Sequence, residues 1–402
     1  METTAEPFLM QCLPLNEAAG EPACIATKHG TAQVFTSARH IPRECWTRTL
    51  TAHGKDYRFY EVIEETLPRQ FEHRYFVLKN TLSGEVAIQP FFFVDQDLTM
   101  GSPMGVRKLI ARVRKLWPRF LNLKMMMVGC AAGEGQLDST EPWAVEALHE
   151  ALDKYGRRAA SIILLKDFPS NYRETLTPFS NDGYRRVPSM PAAVLDLEFA
   201  SFEDYMQRKL GKVFRKNLRR KFRDTQDLGL AMEVVNDVTP IVDEIYALYH
   251  QTFSKSELQF EELTKEYFCA LGQRMPERVR YFLWRKNGKL IAFNLCLVHD
   301  GTIYDLDVGL DYAVALDLHM YFVTWRDVVQ WSIEQGLKRY HTGPLNYDPK
   351  LHLRLDLAPQ DLYARHSSAW INPIFKIAMQ YLEPTRHDKT LAQFHNAHEL
   401  HA

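Results

Sequence analysis

The sequence predicts an α/β (α+β) protein whose two halves run through similarly ordered elements, each a mixed sheet flanked by helices. Three observations support this. Short β-rich runs alternate with helical periodicities along both halves, roughly helix, strand pair, helix, strand, helix, strand. Residues 278–309 hold three strand-like runs joined by Asn287-Gly288 and Asp300-Gly301, dipeptides that accept the positive φ of two-residue hairpins. A long helical pattern then leads into another strand, the order of a crossover connection.

In chain order, prolines and glycines break any period over residues 1–35, which read as irregular. A helix is expected over 45–52 and a strand pair over 74–79 and 86–94, turning at Gly84. Residues 106–120 form an amphipathic helix with Leu109, Val113 and Trp117 on one face and Arg107, Lys108 and Arg112 among its cations. A strand at 124–128, a helix from Pro142 closed by Gly156 and an apolar strand at 159–165 follow. Residues 184–197 read as two strands interrupted by Pro188 and Pro191. The expected division is an irregular segment 1–35, a first domain 36–190, a second domain 191–385 and a polar, histidine-containing tail 386–402.

The second half opens on a helix over 201–227, with Ser201 as cap and Asp204 three residues on. A strand at 231–235 and helices at 239–253 and 261–271 precede the hairpins. A helix over 317–335, closed by Gly336, and strands at 337–341 and 362–369 end the pattern.

Composition excludes several classes. The chain has 402 residues, 46% hydrophobic and 25% charged, with a formal net charge of -1. That is ordinary for a globular protein and leaves polyanion binding to local clusters. Its six cysteines, Cys12, Cys24, Cys45, Cys130, Cys269 and Cys296, have no paired metal spacing, and no metal is expected. The start lacks a secretory pattern, and no apolar run reaches the ~20 residues of a membrane span. A cytoplasmic location is expected, with a membrane periphery as the second reading. G-x-S-x-G, H-E-x-x-H and G-x-x-x-x-G-K are absent.

The candidate chemistry lies in the second half. Asp305 and Asp307 stand two apart on a strand, which puts both carboxylates on one face, either solvated or lining a cleft as base and partner. The loop Asp311–His319 leads into a helix start able to seat phosphate, with Asp317 and His319 at its end; the same Asp317 would also serve as a plain cap. Tyr347 and Lys350, after the next strand, offer a phenol and an ammonium for charge developing in a reaction, or line a solvated loop. Lys212, Arg215, Lys216, Arg219 and Arg220 form a broad basic face, either solvated or meeting phosphate on RNA, lipid or a donor. Lys221 falls within the apolar arc of that helix, where it must snorkel or meet an anion.

Phe214-Arg-Lys-Asn-Leu-Arg-Arg-Lys-Phe-Arg223 and Gly343-Pro-Leu-Asn-Tyr-Asp-Pro-Lys350, in this order and spacing with the strand meander Tyr281–Gly309, resemble the CelD-like group of the GNAT superfamily, which is related to the Fem-type aminoacyl transferases. The resemblance covers about residues 195–370. It implies tandem GNAT-like mixed sheets and acyl transfer to an amine. It also implies donor binding by backbone along Leu306, Val308 and Gly309, phosphate at Asp317 and His319, and Tyr347 and Lys350 in the cleft. The donor would be acyl-CoA as co-substrate, with no tightly bound cofactor. The glycine-rich loop usual in acetyl-CoA-binding members is missing before the second-half helix, which keeps aminoacyl-tRNA open. It also keeps open a non-catalytic scaffold or membrane-surface protein, with tRNA or an anionic lipid surface as the possible macromolecular partner of one reading or the other.

Overall fold

A computed structural model describes residues 24–46, 50, 54–67, 70–97, 122–226, 228–256 and 259–402. The helix expected over 106–120 lies outside them. Thirteen strands form one sheet: β1 Ile25–Thr27, β2 Gly30–Phe35, β3 Glu72–Asn80, β4 Val86–Asp97, β5 Asn122–Val128, β6 Ile162–Pro169, β7 Arg185–Asp196, β8 Leu230–Val235, β9 Val279–Lys286, β10 Lys289–His299, β11 Thr302–Leu310, β12 Arg339–Thr342 and β13 Asp356–His366. Among the described residues, the helices of six residues or more beside it are α1 Tyr57–Thr66, α2 Pro142–Ala151, α3 Phe202–Lys209, α4 Lys212–Gln226, α5 Val242–Phe253, α6 Lys265–Arg274, α7 Met320–Glu334, α8 Tyr347–His352 and α9 Asn372–Tyr381.

The spatial order is β1-β2-β3-β4-β5-β6-β13-β7-β12-β11-β10-β9-β8. Pairing is antiparallel except at β5 with β6 and β11 with β12. Those two parallel pairs need crossovers, which α2 and α7 supply. Each half is therefore a mixed sheet built the same way, and the two meet by exchange. β7 of the first half lies against β12 of the second, and β13 of the second lies between β6 and β7 of the first.

Several elements differ from the sequence reading for local reasons. Part of the expected irregular start is the hairpin β1–β2, which extends the sheet beyond β3. The helix begun by α2 does not stop at Gly156. It passes through a π turn at Leu152–Gly156 and ends at Ala159. A Cβ on Gly156 would lie 2.9 Å from Ile163 and 3.0 Å from Met126, so this glycine lets the helix approach the sheet closely. β7 is one strand rather than two. The register between β7 and β13 shifts between the pairs Ser189–Gln360 and Ala192–Ala358, and on the other side β12 reaches only Ala193. Pro191 lies within the shifted stretch, and Pro188, opposite Asp361 of β13, is beyond the reach of β12 on its other side, positions that suit residues without an N–H.

The expected helix over 201–227 is two helices. Ser201 Oγ accepts from the Asp204 N–H at 3.1 Å, as the cap requires. The chain then turns extended at Leu210 beside Gly211, a poor helix residue, before α4 resumes. Downstream, α6 begins at Lys265, capped by Thr264, instead of at Glu261. A short helix, α8, stands where a loop was expected.

One large core joins the halves. Tyr75, Phe92 and Met127 of the first half and Tyr267, Tyr281 and Phe293 of the second belong to the same buried cluster. Polar contacts reinforce it: Arg278 meets Asp56 at 3.1 Å, Arg58 meets Glu277 at 2.5 Å, and Arg274 pairs with Glu65. The opposite face holds separate clusters under α2 and under α3, α4 and α7. Residues 386–402 are not merely polar. Leu391, Phe394 and Leu400 are buried with Tyr347 and Leu357.

Arg173 fastens this tail, bonding the carbonyls of Glu399, Leu400 and Ala402 while pairing with the buried Asp361 at 2.6 Å. Arg173→Met is expected to cost about 3 kcal/mol, because it weakens the pairing of a desolvated carboxylate. The check is the urea midpoint; a change under about 0.5 kcal/mol would show that Arg186, 3.6 Å from Asp361, suffices alone.

Candidate active site

The site begins where two neighbouring strands separate. β11 and β12 pair in parallel from Thr302–Arg339 to Asp305–Thr342. β12 then ends, whereas β11 continues to Leu310, held only by β10. Among the described residues no strand covers the far edge of Leu306, Asp307, Val308 and Gly309. Their backbone lies along the edge that β12 leaves, the stretch Leu306–Gly309 in which donor binding is expected. Past it, the Leu310 N–H is taken by Thr252 Oγ1 at 3.2 Å. Gly309 has a further duty. A Cβ there would lie 2.2 Å from the Phe293 ring and 2.9 Å from the Leu248 backbone, so the glycine lets α5 cross β11.

The two aspartates of β11 do not share a face. The register shifts between Leu295 and Cys296, which oppose Asp307 and Asp305, so Leu306 is an extra residue in β11. This β-bulge breaks the period of two. Asp305 turns toward the side of α7. Its carboxylate accepts from Tyr340 OH at 2.7 Å and from Asn294 Nδ2 at 3.0 Å. Asp307 turns toward α5 and α6. Burial lifts its pKa to about 7, helped by the negative charges of Glu261 and Asp305.

Glu261 is held at about 7 as well, raised by burial and drawn back by Lys166. Lys166 bonds Asp167 at 2.5 Å and the Gly133 carbonyl at 3.1 Å, and Ser189 Oγ binds the other Asp167 oxygen. On β12, His341 meets Glu134 at 3.1 Å. Glu261 thus links the two halves, acted on by Lys166 of the first and acting on Asp307 of the second. Sequence reasoning missed Glu134, Lys166, Asp167 and Glu261. The run Gly129-Cys-Ala-Ala-Gly-Glu-Gly135 after β5 was a readable signal for Glu134. Glu261 was obscured by its assignment to a helix.

On the Asp305 side, Lys350 enters from α8. Its Nζ donates to the Gly343 carbonyl at 2.5 Å, and the residue is 5% exposed. Burial pulls its pKa down to about 7, against the pull of Asp305. Asp305 is raised by burial and opposed by Tyr340, Asn294 and Lys350. The structure thus brings Asp305 and Lys350 together. Tyr347 is set differently, its hydroxyl donating to the Pro191 carbonyl at 2.8 Å inside the cluster under the tail.

The expected phosphate seat is altered. In the loop before α7, the N–H groups of Val314 and Ala315 bond Asp311 O, those of Leu318 and His319 bond Val314 O and Leu316 O, and that of Met320 bonds Ala315 O. Asp317 brings a negative charge to the same turn, close enough to act on His319. Cations of α4 adjoin it. Lys221 Nζ lies 4.2 Å over the Phe322 ring, and burial, then Lys221, lower the His319 pKa. The apolar-arc lysine has thereby found an aromatic face at the start of α7.

The remaining basic residues divide. Arg215 bonds the carbonyls of Gln207 and Leu210 at the end of α3, Arg219 pairs with Glu203, and Arg220 bonds Asn217. Lys216 and Arg219, with Arg223 and Arg326, line a cavity of about 670 Å³ between α4, α7 and β9. Lys212 lines a separate one of about 280 Å³.

Residues 212–351 match the family model of the acetyltransferase (GNAT) domain. That stretch of the second half is similar to a GNAT domain. The match contains the split between β11 and β12, both aspartates and Lys350. FemX has the same fold over 87% of this chain and 100% of its own, with a TM-score of 0.53 and 10% identity. L-PGS from Bacillus licheniformis matches over 84% and 99%, with a TM-score of 0.51 and 11% identity. No curated protein matches the sequence. The strand exchange and the two parallel pairs give the chain two similarly built halves, and the second carries the GNAT-like match together with ionisable groups on both sides of the strand split.

Proposed function

We propose that the chain transfers an acyl group from acyl-CoA to an amine, with the reacting carbonyl beside the exposed edge of β11. The observation that carries this reading is the bulge at Leu306. It sets Asp307 and Asp305 on opposite sides of one strand split, each beside a group of opposite or shared charge. The amine nitrogen attacks the thioester carbon while Asp307, ionised, takes its proton. The C–S bond then breaks, and the thiolate leaves with the proton of the Lys350 ammonium. Both groups have pKa values of about 7, suited to proton transfer near neutrality. Backbone at Leu306–Gly309 pairs with the donor arm, and Lys221 and His319 meet its phosphates.

A second reading takes aminoacyl-tRNA as the donor, the same attack falling on an ester carbon. The internally bonded loop before α7, together with exposed Lys216 and Arg223 on α4, favours it. A thermal-shift screen separates the two. At ligand well above Kd, acetyl-CoA or a longer acyl-CoA should raise Tm by about 2–5 °C on the first reading, and charged tRNA alone should do so on the second, in a salt-sensitive manner. If none of them moves Tm, acyl transfer from either carrier is abandoned.

A further inference from the structure

Six of the eleven large apolar side chains exposed among the described residues fall between Trp370 and Leu382. Trp370 is 92% exposed, Ile374 71%, Ile377 59% and Tyr381 65%. Their spacing of four, three and four residues puts them on one face of α9 and the turn before it. The opposite face is anchored, because Phe375 and Met379 pack against the main core. The helix is thus fixed on the sheet with an apolar stripe turned outward, aromatic at both ends.

Next to the stripe is a cavity of about 460 Å³ lined by Arg185, Arg365, Lys376, Asn372 and Gln380, with no carboxylate in its wall. Arg365 is held by Asp153 and Asp182 at 3.3 Å, and Arg185 faces the Gln380 amide. Lys376 has no acidic partner among the described residues. Arg386 stands 5.4 Å over the Tyr381 ring. An outward apolar stripe with Trp and Tyr at its ends and cations along its flank is complementary to one kind of surface. Apolar side chains enter the acyl boundary, aromatic rings sit at the headgroup level and cations meet phosphate.

We propose that α9, with Trp370 and the Arg185–Lys376 cavity, docks this protein on an anionic lipid bilayer, the cavity taking a phosphate headgroup. No helix among the described residues is long and apolar enough to cross a membrane, so the contact is interfacial.

The test is co-sedimentation of the full chain with vesicles of phosphatidylcholine alone and with equal parts of phosphatidylglycerol. The expected result is binding to the anionic vesicles, weakened by salt. Ile374→Ser with Ile377→Ser should lower it about tenfold or more, and Lys376→Glu about tenfold on anionic vesicles only. These side chains are at the surface, and an unchanged melting curve will show that the variants fold. Three results overturn the proposal: equal partition onto both vesicle types, no partition at all, or a wild-type dimer by light scattering that the double serine variant converts to monomer. The last would mean that a second copy covers the stripe.

Discussion

Asp307→Asn is expected to lower kcat by about two to four orders of magnitude with the donor and amine found by screening, the range for removing a general base. The pH profile makes the expectation specific. Asp307 must be ionised to accept a proton and Lys350 protonated to give one, so wild-type kcat/KM should climb about tenfold per pH unit up to about 7 and decline above it. The asparagine variant should lose that limb. Glu261→Gln offers a sharper control. Removing a like charge lowers the Asp307 pKa, so the rising limb should move to lower pH while the maximal rate largely survives. If Asp307→Asn retains activity within about threefold, or if Glu261→Gln alone abolishes the limb, Asp307 is not the base.

Lys350→Met should have the second-largest effect, lowering kcat by about two orders of magnitude with little change in fold. Methionine keeps the volume and removes only the amine, and replacing a buried charge by an apolar group of similar size is often neutral for stability. Stability against pH gives an independent readout. The folded lysine titrates at about 7 and the unfolded one near 10.5, so between these values the unfolded chain binds an extra proton. Wild-type stability should therefore gain a rising contribution across that window, fully present above it and lost as pH falls through about 7. The methionine variant should lack this component, as measured by urea midpoints from pH 7 to 10. A parallel dependence in both proteins would place Lys350 in an ordinary solvated setting and remove it from the reaction.

What could be read from the sequence depended on how local the cause was. Asn287 and Asp300 take positive φ in their hairpin turns, and Ser201 caps α3, because each effect is settled within a few residues. The single strand at Pro188 and Pro191 was not legible, since only the partners on either side of β7 show that these positions suit residues without an N–H. The bulge at Leu306 was equally hidden. Alternation along β11 is regular in sequence and is broken by its register against β10, which put Asp305 and Asp307 on opposite faces instead of one. Lys350 was legible as an ammonium in the segment after β12, and again by resemblance, but its burial beside Asp305 was not. Lys166 and Glu261 lie far apart in the chain, and no spacing rule could have joined them.

The place of β13 has a consequence for how this protein is made. During synthesis the ribosome releases β6 and β7 long before residues 356–366 exist, so a nascent first half exposes two raw strand edges with no neighbour between them. Completion must wait until residues 356–366 have been made, and cutting the chain near residue 200 should yield two fragments that dissolve poorly alone but recover when co-expressed.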